Sequence, residues 1–214
     1  MLKKVSRINP LKGSITIPSD KSISHRAVMF SSIAQGECII RNFSSGADCH
    51  STLNLFKNLG VNIEFLDEKT LKINSSGILQ PSLKSVYDCG NSGTTMRLVS
   101  GILAGQSFNS MLVGDLSLSK RPMKRIIEPL TLMGADITSE NGHAPIKIVG
   151  EKLHGIVYPS KLASAQVKSC ILLAGLNAEG KTTVSEPYTS RNHTENLFKY
   201  LDANIHIDGT SVTV

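Results

Sequence analysis

Five stretches of the 214-residue chain combine small polar residues with a basic side chain nearby. They are Asp20-Lys21-Ser22-Ile23-Ser24-His25-Arg26, Gly90-Asn91-Ser92-Gly93-Thr94-Thr95-Met96-Arg97, Ser119-Lys120-Arg121-Pro122-Met123, Ala163-Ser164-Ala165-Gln166-Val167-Lys168 and Ser190-Arg191-Asn192-His193-Thr194-Glu195. Residues of this kind open helices, and a helix start carries unpaired backbone N–H groups and a partial positive charge. It is therefore a ready anion site. Lys adds a compact charge, and Arg adds a fork that grips phosphate or carboxylate through two parallel hydrogen bonds. A single cluster reads most simply as a plain cap on a solvated face, for which Ser22, Ser119 and Ser190 are suitable types, with Pro122 suited to a first helical turn. Five in register read as a set of anion holders.

The register comes from an internal repeat. Leu55 to Ile63, Leu130 to Ile137 and Leu197 to Ile205 each read as the end of an amphipathic helix, a Gly or Asp stop and a strand, with a second strand following at Leu71–Ile73, Ile146–Val149 and Ser211–Val214. Upstream, helical patterns at Ser22–Ala34, Gly93–Ala104 and Ser164–Ala174 run into short strands. Opening strands are expected at Ser14–Ile17, Val86–Asp88 and Ile156–Tyr158. The alternation of 3.6-residue and two-residue periods predicts an α/β (α+β) fold of three βαβαββ repeats, at about residues 12–74, 84–149 and 154–214. No such unit can bury its apolar helix faces alone, so six main helices are expected to pack inward with sheets outside. Rotation of the repeats would bring the helix starts to one end.

The bulk composition narrows the ligand. A net charge of +6 favours anionic partners, yet aromatics make up 5%, tryptophan is absent and no dense Lys/Arg tract occurs. Stacking platforms for nucleic acid are therefore lacking, and small anions are the better reading. No run approaches the roughly 20 apolar residues of a membrane span. Four separated cysteines without a C-x-x-C pair suit reduced thiols in a cytoplasm. Asp48-Cys49-His50 are adjacent and cannot converge on one metal ion. Gly175 to Thr182 spells a phosphate-binding G-x-x-x-x-G-K-T, but the pattern puts a helix before it and a strand after, the reverse of what that loop requires. Arg125 and Lys124 read as a solvated face.

Taken together, the five stretches resemble the signatures of the 5-enolpyruvylshikimate-3-phosphate synthase family, in that family's order and over essentially the whole chain. The resemblance implies transfer of the enolpyruvyl group from phosphoenolpyruvate to the 5-hydroxyl of shikimate 3-phosphate, in aromatic amino-acid biosynthesis, without metal or cofactor. It implies that Lys21, Ser22, Arg26, Ser164, Ala165, Gln166, Ser190 and Arg191 hold shikimate 3-phosphate. Lys21, Asn91, Gly93, Thr94, Arg121 and Gln166 would receive phosphoenolpyruvate. Leu98 stands where one branch of the family has proline, placing this chain with the other branch.

Such a reaction needs cationic holders and an acid/base pair. The first are plentiful. Lys21 can serve as proton donor or purely as an electrostatic holder, whereas Asp20, Asp88, Asp115 and Glu195 read equally well as caps or turn acids. In the family the acidic catalytic residues lie in a second, similar C-terminal domain. This sequence ends at Val214, where the third repeat closes, so it reads as one domain of a two-domain enzyme, inactive alone. Because the family exchanges its opening strand between domains, residues 1–20 are open to belonging with that second domain. Two alternatives remain: a nucleotide-sugar enolpyruvyl transferase, which typically carries Lys-Asn where Lys21-Ser22 stands, and a non-catalytic anion-binding half-protein.

Overall fold

The computed structural model describes residues 3, 4, 10 and 12–214. Helix α1 (Lys21–Ile33) runs directly into β1 (Gln35–Ile40), and α2 (Ala47–Asn58) leads to the hairpin of β2 (Asn62–Asp67) and β3 (Thr70–Ser76). Strand β4 (Val86–Asp88) is followed by α3 (Gly93–Ala104), β5 (Ser110–Val113), a one-turn α4 (Leu116–Ser119), α5 (Lys124–Leu132), β6 (Asp136–Glu140) and β7 (His143–Val149). The last stretch holds β8 (Leu153–His154), β9 (Val157–Pro159), α6 (Ala165–Gly175), β10 (Ala178–Glu179), β11 (Thr183–Ser185), α7 (His193–Tyr200), β12 (His206–Asp208) and β13 (Ser211–Thr213).

Two of the sheets share one topology. Their orders are β4-β5-β7-β6 and β9-β11-β13-β12, and in each the opening strand pairs parallel with the second while the remaining ladders are antiparallel. The crossovers between the parallel strands are α3 and α6, as a parallel pair requires. The sheet of the first stretch has the order β1-β3-β2, all antiparallel. The strand expected at Ser14–Ile17 is not formed: these residues carry no regular structure, and Ile15 and Ile17 are 87% and 70% exposed. An extended segment becomes a strand only by pairing its N–H and C=O groups with a neighbour. A short parallel pair, β8 with β10, completes the ladders of the described residues.

The helices fill the interior and the sheets flank them. Every residue of α3 except Thr94 is buried, as is α6 from Val167 to Gly175, which marks both as central helices rather than amphipathic surface ones. They approach closely at Gly101, where a Cβ would lie 2.1 Å from the Cys170 carbonyl oxygen. On the sheets, Leu71 and Ile73 of β3 and Ala144, Ile146 and Ile148 of β7 alternate inward, matching the period of two.

Three expected caps are placed differently. Asp20, not Ser22, caps α1, its carboxylate accepting from the Ile23 N–H at 2.7 Å. Ser119 ends α4 instead of opening a helix, and Pro122, which disfavours helical backbone at the residue before it, lies between α4 and α5 rather than in a first helical turn. Ser190 lies ahead of α7, and its hydroxyl donates to the Glu186 carboxylate at 2.8 Å. The helix–turn–strand order around Gly175–Thr182 is confirmed, so this segment lacks the context of a nucleotide-phosphate loop. Among the described residues no helix is long and apolar enough to cross a membrane, and no cluster of His, Cys, Asp or Glu is arranged to hold a metal ion.

Candidate functional site

Helices α1, α3, α6 and the segment entering α7 bring their first turns to one pocket, lined by Ser22, Arg26, Thr94, Ala165, Gln166, Arg191 and His193. No carboxylate is among these seven residues, and two of them are arginines, so the lining is built for an anion. Arg26 is 4% exposed. Its Nε donates to Thr194 Oγ1 at 2.7 Å, Nη1 to the Ser22 carbonyl at 3.1 Å and Nη2 to Ser169 Oγ at 2.9 Å. A guanidinium has five N–H donors, so two remain for a ligand. Burial lowers the Arg26 pKa to about 10, against the pull of Glu195, and it stays a cation at neutral pH.

Beside this pocket lies a second group of donors. Gln166 accepts from Arg97 Nη1 at 2.7 Å and donates to Thr94 Oγ1 at 3.1 Å, so both ends of its amide are held. Arg97 is buried, bonds only to Gln166 and the Pro122 carbonyl among the described residues, and leaves its Nε unpartnered. Burial, with Arg125 and Arg121 nearby, lowers its pKa. A Cβ at position 93 would sit 3.0 Å from Arg97 Nη1 and 3.3 Å from Arg121 Nη1, which is why glycine opens α3 there. Arg121 in turn donates to Asn91, whose amide donates to Asp115 at 2.6 Å. That bond, with the one from the Leu118 N–H, holds the Asp115 carboxyl below the ordinary carboxylate range.

The chain as a whole is similar to known proteins. The family model for EPSP synthase (3-phosphoshikimate 1-carboxyvinyltransferase) matches residues 5–214. The chain belongs to the EPSP synthase family. A 3-phosphoshikimate 1-carboxyvinyltransferase of Thermodesulfovibrio yellowstonii is 54% identical over 217 residues, covering 99% of this chain and 50% of that relative. One from Thermoanaerobacter sp. (strain X514) is 52% identical over 204 residues, covering 95% of this chain and 48% of the relative. The solved EPSP synthase of Acinetobacter baumannii superposes with a TM-score of 0.90 at 46% identity, over 94% of this chain and 46% of that one. The chain spans about half the length of the curated relatives it matches.

Not every residue singled out from the EPSP synthase signatures meets in the pocket. Ser22, Arg26, Thr94, Ala165, Gln166 and Arg191 line it. Lys21 is more than half exposed and pairs with Asp48 at 2.8 Å. Ser164 caps α6, its hydroxyl accepting from the Val167 N–H at 3.5 Å. Ser190 faces Glu186, while Asn91, Gly93 and Arg121 form the neighbouring group. Reading the motifs alone passed over Thr194, Ser169, Arg97 and His193 as parts of the site. Arg97 stood within a quoted motif, one turn along from Gly93, and could have been found by helical spacing.

His25 is a prop. Thr95 donates to Ser92 Oγ at 2.7 Å, so Thr52 donates to Thr95 at 2.6 Å, and His25 Nδ1–H donates to Thr52 at 2.6 Å. That donor order assigns the neutral Nδ1–H tautomer and leaves Nε2 buried without a partner. Burial lowers the His25 pKa from 6.5 to about 4, Asp48 opposing and Lys21 and Arg26 assisting. The unfolded chain therefore takes up a proton here between pH 6.5 and 4 that the folded chain refuses. This stability is complete above pH 6.5 and is lost as pH falls toward 4, by about 3 kcal/mol. Urea unfolding at pH 7 and pH 4.5 should show a smaller acid loss in His25→Asn than in the unsubstituted chain. Parallel losses would refute the role of this imidazole.

Proposed function

We propose that this chain provides the shikimate 3-phosphate-binding side of a 3-phosphoshikimate 1-carboxyvinyltransferase, with Lys21, Ser22, Arg26, Ser164, Ala165, Gln166, Ser190 and Arg191 around that substrate. Asn91, Gly93, Thr94 and Arg121, with Lys21 and Gln166, take phosphoenolpyruvate. The observation that carries the reading is the pocket at the converging helix starts, with Arg26 and Arg191 in its wall and no carboxylate among its lining residues. The three repeats at about 12–74, 84–149 and 154–214 form one domain in this reading. The part of the relatives beyond the matched half supplies the other wall, and the reaction runs in the cytoplasm.

The transfer adds a proton to the methylene carbon of phosphoenolpyruvate while the substrate 5-hydroxyl loses its own and attacks the adjacent carbon. Loss of phosphate and of a methyl proton from the tetrahedral intermediate then restores the double bond. This chain's residues hold the anionic ends of both substrates, which turns a bimolecular encounter into an oriented one. Lys21, drawn from Asp48 by an incoming anion, neutralises charge between the two substrates. Acid/base carboxylates come from the other wall.

Isothermal titration calorimetry of residues 1–214 should register weak binding of shikimate 3-phosphate, weaker binding of shikimate and scarcely any of phosphoenolpyruvate. Phosphate release with both substrates should be absent for residues 1–214 alone and appear on adding the remaining half of a full-length relative. Steady turnover by residues 1–214 alone would overturn the division of labour. Equal affinity for shikimate and its 3-phosphate would overturn the phosphate assignment.

A further inference from the structure

Beneath the pocket lies a group of charges that the transfer reaction does not itself require. Lys168, in the second turn of α6, places Nζ 2.8 Å from Glu186 Oε2 and 2.6 Å from Glu195 Oε1, with side-chain exposures of 2–3% throughout. Burying three charges is unfavourable unless each also satisfies further hydrogen bonds. Glu186 does so. It accepts from the Ser164 N–H at 2.7 Å, from the Ser190 N–H at 3.3 Å and from the Ser190 hydroxyl at 2.8 Å. Desolvation raises its pKa, but the bonds from Lys168, Ser190 and Ser164 outweigh that and leave it below the ordinary carboxylate range. Glu195 sits beside Thr194, which accepts from Arg26 Nε, and its charge acts on Arg26. Thus the α6 N-terminus, the Ser190–Arg191 segment and Arg26 are all referred to one buried ion group.

We propose that Lys168, Glu186 and Glu195 are positioning residues for the phosphate pocket: Glu186 ties the Ser164 and Ser190 segments together from below, and Lys168 locks that tie to α7. The width of the pocket between Ala165 and Arg191 is then set by one carboxylate. The Ser190 hydroxyl hydrogen is committed to Glu186, so Ser190 acts on the pocket by fixing the neighbouring Arg191 rather than by donating into it. The ligand named here rests on the proposed function; the tie itself does not.

Glu186→Gln keeps the side-chain shape and removes the charge. Two readouts go beyond folding. Amide hydrogen exchange at Ser164 and Ser190 should accelerate about tenfold or more, because a charge-assisted acceptor is lost. Affinity for shikimate 3-phosphate should fall about tenfold, while the weak affinity for unphosphorylated shikimate changes little. Ile146→Ala, in a sheet away from the pocket, serves as a control matched for lost stability and should leave the affinity ratio intact. If Glu186→Gln does not fold, Glu186→Asp retains the charge but withdraws it from Ser164, and the same readouts apply. Unchanged exchange at both amides, or an equal affinity loss in the Ile146→Ala control, overturns the proposal. Failure of the unsubstituted chain to bind shikimate 3-phosphate would sink the functional reading alone, leaving the exchange measurement to decide whether Glu186 holds the two segments.

Discussion

Lys168→Met is expected to lower the stability of the chain by about 3–5 kcal/mol, the cost of removing one partner from a buried ion group. The ammonium is 2.8 Å from Glu186 and 2.6 Å from Glu195, and no other cation bonds to either carboxylate among the described residues. Methionine fills the space but leaves two buried carboxylates facing each other across it. Glu195 Oε2 already lacks a hydrogen-bond partner, so no spare donor is at hand to absorb the loss. The pH dependence separates this cause from lost packing. Without Lys168 the Glu186 carboxylate loses one of the bonds that hold its pKa down, so protonating it becomes more favourable in the folded state. The destabilisation should therefore shrink as pH falls from 7 toward 5, the opposite direction to the His25 effect. Urea midpoints at the two pH values for the unsubstituted and Lys168→Met chains would show it. A pH-independent difference would assign the loss to packing alone.

The interior of this fold was legible in the sequence because its signals are local. Gly93–Ala104 reads as helical, mostly apolar from Leu98 onward and stopped at Gly105, and α3 has those limits. The alternation at Leu71–Ile73 and Ile146–Val149 likewise marks inward sheet faces. Where the reading failed, a nonlocal or steric term decided. Ser14–Ile17 has strand composition, yet pairing is not a property of a segment by itself. Ser119 has a cap's chemistry, but the proline three residues on disfavours the helix that would need it. The pocket was legible as a set of helix starts, since the motifs that open α1, α3 and α6 each carry a capping side chain, Asp20, Ser92 and Ser164, together with a cation. The layer beneath was not. Glu186 precedes Pro187 in a stretch without periodicity, and only the fold brings it within 2.8 Å of Lys168, eighteen residues earlier. Arg26 was read as a fork free to reach a ligand; that it is buried and already bonded three ways follows from α6 and α7 packing over it.

That burial changes what Arg26→Ala should do. Sequence alone suggests a large loss of shikimate 3-phosphate affinity with little effect on stability, as for an exposed side chain. In the fold, truncation strips Thr194 Oγ1, Ser169 Oγ and the Ser22 carbonyl of a donor and removes a cation from beside Glu195. Unsatisfied buried groups cost about 1–3 kcal/mol, so a stability loss of that order is expected together with the affinity loss. Thr194 and Ser169 also bond to each other at 2.6 Å, which softens the first term. The binding term is not softened, because the two remaining guanidinium N–H groups have no substitute at the pocket floor. One charge-assisted bond contributes about 1.5–3 kcal/mol, or roughly ten- to hundredfold in affinity. Arg26→Lys distinguishes charge from geometry: an ammonium preserves the charge but lacks the planar fork that reaches Thr194, Ser169 and a phosphate at once. Calorimetry well below the melting temperature of each variant should find both weakened, Arg26→Ala more than Arg26→Lys. Affinity unchanged in a folded Arg26→Ala chain would remove Arg26 from the phosphate site and leave it as a structural tie between α1, α6 and α7.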